Sequence, residues 1–304
     1  MPQAHDAELA DILREVRRID LQAQRLVTGV MAGGYLSVFR GAGIEFESVR
    51  EYEAGDDPRS VDWNVTARVG RPFVKTYVDE RELTVLFLLD LSASMEGGFG
   101  VYSMRQIAAR IAACLGLAAA RSGDKVGLVG FSEQVDHFVA PRMGRAHALR
   151  VVRDCLAAPA AGTGTDITSA LEFAGRAVRR HAIVFLISDF LGSGWERALR
   201  ITAKHHDIVA VRLQPPELAS PGSGLLRVRD PETGRVMVVD TSSRRVRAAY
   251  AERVAAWQLR TEEAFRRARV DCMDVPVPRQ HRPDLVVDPI LRFFRMRELR
   301  GAKR

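Results

Sequence analysis

The chain has 304 residues, 47% apolar and 27% charged, with a net charge of +7. That is enough apolar material for one large domain or two modest ones, and enough charge for a soluble surface. The longest apolar runs are about seven residues, far below the roughly 20 that cross a bilayer, and the polar, acidic start MPQAHDAELADILREV lacks the basic-then-apolar order of a secretory signal.

Residues 7–30 predict an amphipathic helix: Leu9, Ile12, Leu13, Val16, Ile19, Leu21 and Leu26 follow a helical period, and Gly33-Gly34 ends it. Residues 35–80 change character. Ile44, Phe46 and Val49, then Phe73, Val74, Tyr77 and Val78, predict two short strands, with Gly55-Asp56-Asp57-Pro58 as a turn between them. From Glu45 to Asp62 seven acidic residues stand against two arginines, Arg50 and Arg59, and Trp63 and Arg68 follow. One reading is a salt-bridged loop system in which the arginines pair with Asp56, Asp57 or Asp62. The other is a partner-docking surface formed by Arg50, Asp56, Asp57, Arg59, Asp62, Trp63 and Arg68.

From Leu83 strands and helices alternate, the pattern of a doubly wound, mostly parallel α/β sheet. Strands are expected at 83–90, 125–131, 134–139 (a hairpin partner of the one before), 182–187, 207–213 and 270–276. Helices are expected near 101–121, 145–157, 166–180, 195–204, 242–269 and 284–299. Residues 159–164 and the Pro/Gly/Ser-rich 214–224 read as loops, and 225–240 as a β-hairpin turning at Pro231-Glu-Thr-Gly234. Domain limits follow: 1–80, an N-terminal helix with a β/loop region; 81–280, the α/β domain with hairpin 225–240 inserted; 281–304, a basic helix and tail.

Charge is uneven. Residues 241–304 carry 16 Lys and Arg against 8 Asp and Glu, so the other 240 are close to neutral. A basic C-terminus admits nucleic acid, anionic lipid or an acidic partner, or else a solvated helix face. Cys114, Cys155 and Cys272 share no metal-type spacing, which points to reduced, buried thiols and a cytoplasmic protein.

The chemistry concentrates at Glu82–Met95, ELTVLFLLDLSASM. An apolar strand stops on Asp90 and then offers Ser92 and Ser94, three oxygen donors at one point and a donor set for a hard cation. Asp189 ends the fourth strand. In a sheet ordered 3-2-1-4-5-6, the first and fourth strands are neighbours at about 4.8 Å, and their carboxyl ends open on the crevice where ligands bind. Two carboxylates brought together there call for a cation or a shared proton. Thr165, in Gly162-Thr163-Gly164-Thr165-Asp166, is the candidate third contributor, with the glycines allowing close approach. Thr165 or Asp166 has a local use too, as the N-cap of the following helix.

Asp90-Leu-Ser92-Ala-Ser94, Thr165 and Asp189 resemble the metal-ion-dependent adhesion site of von Willebrand factor A domains. The resemblance implies five ligand positions, Asp90, Ser92, Ser94, Thr165 and Asp189. It also implies Mg²⁺ (or Mn²⁺ or Ca²⁺) as the ion, with one coordination position left for an acidic residue of a partner. The preceding region is similar to the bacterial domain-of-unknown-function 58 family: Glu45-Phe46, Arg50-Glu-Tyr52, Gly55-Asp56-Asp57, Arg59, Val61-Asp62-Trp63, Ala67-Arg68, Val74-Lys75 and Glu80-Arg-Glu82. That resemblance implies a von Willebrand factor A-like domain working with a MoxR-type AAA+ ATPase as an adaptor in maturation or remodelling of complexes. Some relatives carry N-terminal membrane helices; the sequence shows none, so a cytoplasmic setting is expected, with contact at the inner membrane through partners.

The expected function is therefore non-enzymatic, metal-dependent protein binding. A metal-dependent hydrolase or phosphotransferase working from Asp90 is the enzymatic alternative. Against it, the chain has no P-loop signature and no Gly-x-Ser-x-Gly, and Ser92 stands where a haloacid-type phosphatase has its second aspartate. Nucleic-acid binding through Arg292–Arg304 is the third reading; Phe293 and Phe294 there read as core residues rather than stacking platforms.

Overall fold

The structure is a computed structural model and describes residues 14, 17–18, 46–53, 56–77, 83–97, 101–219, 222, 224–280 and 286–301. Most of the helix expected over 7–30 lies outside the described residues, as do Ile44, Glu45, Gly55, Val78 and 80–82. The chain forms two compact units: Arg40–Glu82 is the smaller, and Leu83–Arg304 belongs to the larger.

In the smaller unit, β1 (Phe46–Glu51) and β2 (Phe73–Tyr77) pair antiparallel, with an irregularity between Phe46 and Ser48. Between them lies a helix, α1 (Trp63–Val69), where loop was expected. It is a single capped segment: the Asp62 carboxylate accepts from the N–H groups of Asn64 and Val65, and Gly70, at φ 73°, ends it in the left-handed region. Seven residues are too few to show an apolar period, so only the caps mark this helix in the sequence. The salt-bridged reading is found here for Arg50, while Arg59 meets Asp57 through its backbone N–H. Arg50 holds Asp56 through two bonds of 2.8 and 2.5 Å.

The larger unit runs β3 (Thr84–Asp90), α2 (Ala93–Glu96), α3 (Met104–Arg121), β4 (Lys125–Phe131), β5 (Val135–Arg142), α4 (Arg145–Ala157) and α5 (Ile167–Ala177). It continues with β6 (Ile183–Ser188), α6 (Glu196–Thr202), β7 (Asp207–Gln214), α7 (Pro216–Ala219), β8 (Leu225–Arg229), β9 (Val236–Asp240), α8 (Arg244–Ala268), β10 (Asp271–Pro276) and α9 (Val287–Gly301). The short α7 falls in the stretch expected to be loop. Six strands form one sheet in the order β10-β7-β6-β3-β4-β5, all parallel except β5. Numbered along the chain, that is the expected order 3-2-1-4-5-6. It is the doubly wound, mostly parallel architecture, and its switch point lies between β3 and β6.

The apolar run of β3 is continuous because both faces of the strand are covered. Val85, Phe87 and Leu89 enter one core with Ile107, Ile111 and Leu115 of α3, Val151 and Val152 of α4, and Ile290, Phe293 and Phe294 of α9. Leu86 and Leu88 enter the other with Ile167, Ala170 and Leu171 of α5, Leu199 of α6 and Phe265 of α8. Each such side chain contributes about 1.5–3 kcal/mol on burial, and together they hold the carboxyl ends of β3 and β6 side by side. The Phe87 and Phe185 rings stack across that pair at 5.6 Å.

Phe293 and Phe294 are core, as their pattern suggests. Part of the C-terminal positive charge is spent inside the fold. Arg297 binds Asp207 through two bonds of 2.7 Å and Asp271 through one of 2.8 Å, joining the starts of β7 and β10, and Arg300 adds a 2.7 Å bond to Asp271. Replacing Arg297 by Ala should leave both carboxylates without this partner and lower stability by roughly 1–3 kcal/mol. Urea unfolding would show it as a lower midpoint with an unchanged slope, and Arg297→Lys should recover only part, because it cannot bridge both aspartates with a planar fork.

Candidate metal centre

The expected site residues come from three segments that meet at the switch point. β3 delivers Asp90, and the chain turns immediately into α2, carrying Ser92 and Ser94. β6 delivers Asp189 just past its last residue. The segment before α5 delivers Thr165. The main chain ties two of these segments together, since the Ala93 N–H donates to the Thr163 carbonyl at 3.1 Å.

Asp90 and Ser92 are fully buried and Asp189 nearly so, whereas Ser94 and Thr165 are half-buried. The site therefore has an acidic floor and a hydroxyl rim. Asp90 accepts from the Ser92 N–H at 2.9 Å on one oxygen and from the Ser188 hydroxyl at 2.6 Å on the other. Ser94 donates its hydroxyl to Asp189 at 2.7 Å, and the Ser92 and Ser94 hydroxyl oxygens are 3.1 Å apart. Asp189 also accepts from the Leu191 N–H at 3.0 Å. Asp90, Ser92, Ser94 and Asp189 thus form one connected set. Thr165 lies at its edge, with its hydroxyl turned to Glu232 at 3.4 Å.

Of the two residues that were candidates for the helix cap, Asp166 is the one used: it accepts from the N–H groups of Thr168 and Ser169. That releases Thr165 from capping. The glycines around Thr163 make room for the Glu133 side chain. A Cβ on Gly162 would lie 2.8 Å from the Glu133 carboxyl carbon, and one on Gly164 3.1 Å from its Cγ, while the Gly164 N–H donates to Glu133 at 3.1 Å.

Burial, then the negative charge of Asp189, push the Asp90 carboxyl up to about 7, against the opposing bonds from Ser188 and Ser92. Burial also raises Asp189, opposed by its bonds from Leu191 and Ser94. Partial loss of water raises Glu232, and the charges of Asp189, Asp230 and Glu133 add to that while Thr165 opposes it. Negative charge at this point is therefore costly unless a proton or a cation offsets it.

The donor set fits a hard cation. Two carboxylates and three hydroxyls are oxygen donors, and each carboxylate oxygen can accept more than one partner. Neighbouring ligands of an octahedral Mg²⁺ lie roughly 2.9 Å apart, and the observed oxygen separations of 2.7 and 3.1 Å bracket that value. Among the described residues, no three His, Cys, Asp or Glu side chains converge as a metal group, so a cation here would need the hydroxyls as well.

Backbone strain fixes Asp189. Phe190, the next residue, has φ 56°, a left-handed conformation uncommon for a bulky side chain. It is held in three ways. Its N–H donates to the Ser188 hydroxyl at 3.0 Å, its carbonyl accepts from the Trp257 indole at 2.9 Å, and its ring packs against Trp195 and Phe265. Sequence reasoning missed Ser188, Trp257 and Glu232. The pair Ser188-Asp189 at a strand end was a visible signal for the first; nothing local marks the other two.

The proposed docking residues lie in the smaller unit. Arg50 and Asp56 pair with each other, Asp57 accepts from the Arg59 N–H at 2.9 Å, and Asp62 caps α1. Trp63, 72% exposed, and Arg68 stand on α1 facing solvent.

The family described as "Protein of unknown function DUF58" matches residues 48–260. The uncharacterized proteins Mb1516 of Mycobacterium bovis and Rv1480 of Mycobacterium tuberculosis are each 32% identical over 235 residues, 76% of this chain and 73% of theirs. Among solved structures, the hypothetical protein BatB from Bacteroides thetaiotaomicron covers 73% of this chain and 100% of its own at 16% identity and a TM-score of 0.40. The SpRpn10 VWA domain covers 69% and 94% at 10% identity and a TM-score of 0.39. At those values no inference about this chain's chemistry follows from either structure.

One expected outcome concerns pH. In the folded chain Asp90 keeps its proton up to about 7, whereas an unfolded aspartate releases it near 3.8. The folded state then binds more protons across that window, so stability is greatest at its acid end and falls as pH rises through it. The full rise corresponds to roughly 4 kcal/mol. Thermal melts in EDTA from pH 5 to 8 should show a downward slope that Asp90→Asn, which cannot ionise, makes shallower.

Proposed function

The chain belongs to the DUF58 family, and from that premise we propose that it is a non-enzymatic adaptor that captures a partner protein through a divalent cation. The observation that carries this reading is the connected set of Asp90, Ser92, Ser94 and Asp189 at the sheet's switch point, all but Ser94 buried, with the Thr165 loop beside it.

In this reading Asp90, Ser92, Ser94, Thr165 and Asp189 are the residues that would hold the ion. Bound there, Mg²⁺ supplies positive charge and an open coordination position. The chain's own residues do the rest. Asp90 and Asp189 supply the buried negative charge that the ion would offset. Ser188 and the Ser92 N–H orient Asp90, and the clamped Phe190 turn orients Asp189. The remaining position accepts a carboxylate from the partner, a charge-assisted contact whose direction is set by the rim. Carboxylates and hydroxyls bonded to one another make a holding site, which favours binding over catalysis.

The partner implied by family resemblance is a MoxR-type AAA+ ATPase together with its client, and the setting is the cytoplasm. No helix among the described residues is long and apolar enough to cross a membrane. Trp63 and Arg68, exposed on α1, are assigned to docking of the same partner.

Asp90→Ala should abolish Mg²⁺ binding in calorimetry while leaving the circular dichroism spectrum unchanged. Affinity purification of the wild type in Mg²⁺ should retain a AAA+ ATPase that leaves on addition of EDTA. Retention of the same partners in excess EDTA would sink the metal-bridge reading.

A further inference from the structure

We propose that Glu232, at the tip of the β8–β9 hairpin, is an internal ligand of the strand-end site: it takes the coordination position reserved above for a partner's carboxylate, and a partner engages by displacing it. The inference rests on the metal-site reading of the previous subsection and adds an occupant and a means of regulation to it.

The hairpin interrupts the sheet-building pattern between β7 and α8. Its base is fastened, with the Thr241 N–H and hydroxyl both donating to the Gly224 carbonyl at 2.8 Å. Among the described residues its two strands pair only with each other, and they lie largely in solvent. Leu225 is 75% exposed and Val238 67%. A lone two-stranded ribbon with so little buried surface has weak independent stability, so what fixes the arm is its base and its tip.

The tip is built in detail. The Asp230 carboxylate accepts from the N–H groups of Glu232 and Thr233 at 3.0 and 3.3 Å and from the Thr233 hydroxyl at 2.6 Å. The Gly234 N–H closes the turn on the Asp230 carbonyl at 2.9 Å, with Gly234 at φ 70°. This turn presents Glu232 to the site. The Glu232 carbonyl accepts from the Thr163 hydroxyl at 3.0 Å, and its carboxylate accepts from the Thr165 hydroxyl at 3.4 Å.

Thr165 is one of the five residues of the metal-site reading, and its loop is tied to the strand end by the Ala93 N–H on the Thr163 carbonyl, so a carboxylate that accepts from its hydroxyl lies beside that donor set. Glu232 approaches from the Thr165 side and does not form a metal group with the two aspartates by itself. Its three side-chain torsions leave it free to turn from Thr165 toward an ion held there. Charge argues the same way. Asp189 and Glu133 both bear on Glu232 with the same sign, and a negative tip settles over a negative crevice when a cation joins them. An exposed arm with a fastened base is also what a displaceable ligand requires: it can lift without disturbing either core.

The test uses the full chain and Mn²⁺ as the probe, with wild type, Glu232→Gln and Asp90→Ala compared by calorimetry and by hydrogen exchange of residues 225–240. Glu232 is exposed, so Glu232→Gln should melt like the wild type. Mn²⁺ should slow exchange at the hairpin tip of the wild type. Glu232→Gln should weaken Mn²⁺ binding about tenfold, since it removes one charged ligand, and should lose the tip protection; Asp90→Ala should lose both. If the wild type binds Mn²⁺ and Glu232→Gln binds it equally well, or if the tip stays unprotected, the internal ligand is refuted and the metal site survives. If the wild type binds no Mn²⁺, the metal-site reading fails and this inference fails with it.

Discussion

Asp90 and Asp189 are two carboxylates buried at the ends of neighbouring parallel strands. A charge taken out of water costs several kcal/mol, and a second of the same sign beside it adds to that cost. Much of the surrounding structure either tolerates this pair or exploits it. Ser188 and the Ser92 N–H bond Asp90, and Ser94 and the Leu191 N–H bond Asp189. Even so, the Asp90 carboxyl is lifted to about 7. The protein's own hydrogen bonds do not offset the burial, and the residual cost is what a divalent cation would relieve.

The fold holds that pair in place by packing. Both faces of β3 are covered, so neither strand end can withdraw without exposing Phe87, Leu88 or their neighbours. Phe190 adds a local lock. Its left-handed backbone costs on the order of 1–3 kcal/mol and persists because the Trp257 indole and two aromatic rings hold it. Trp257 lies on α8, far along the chain from β6, so the geometry of Asp189 depends on the last long helix being docked.

The α/β frame was legible because its signals are long and redundant. Seven-residue apolar runs ending in carboxylate or hydroxyl residues gave the strands, and alternation with helical periods gave the parallel order. That order alone placed Asp90 beside Asp189. Three features resisted reading for one reason: each depends on a contact distant in sequence or on a segment too short to carry a period. The helix α1 is marked only by the Asp62 cap and Gly70. Trp257 reads as one apolar position among several on α8. Glu232 reads as an ordinary turn residue in Pro-Glu-Thr-Gly, and only the folded chain brings it to Thr165, 67 positions earlier.

The hairpin changes how the site should be viewed. A crevice with one vacant coordination position would bind any accessible carboxylate, including abundant small acids, and would select poorly among proteins. A tethered carboxylate at the mouth raises that threshold, because an incoming acid competes with an internal one whose effective concentration is high. A partner that also grips the exposed faces of β8 and β9 could lift the tip and insert its own acid in one step, whereas a free acid could not. Selectivity would then come from the arm more than from the ion, and the apolar residues left exposed on the hairpin, Leu225 and Val238 among them, are the surface on which that choice would be made.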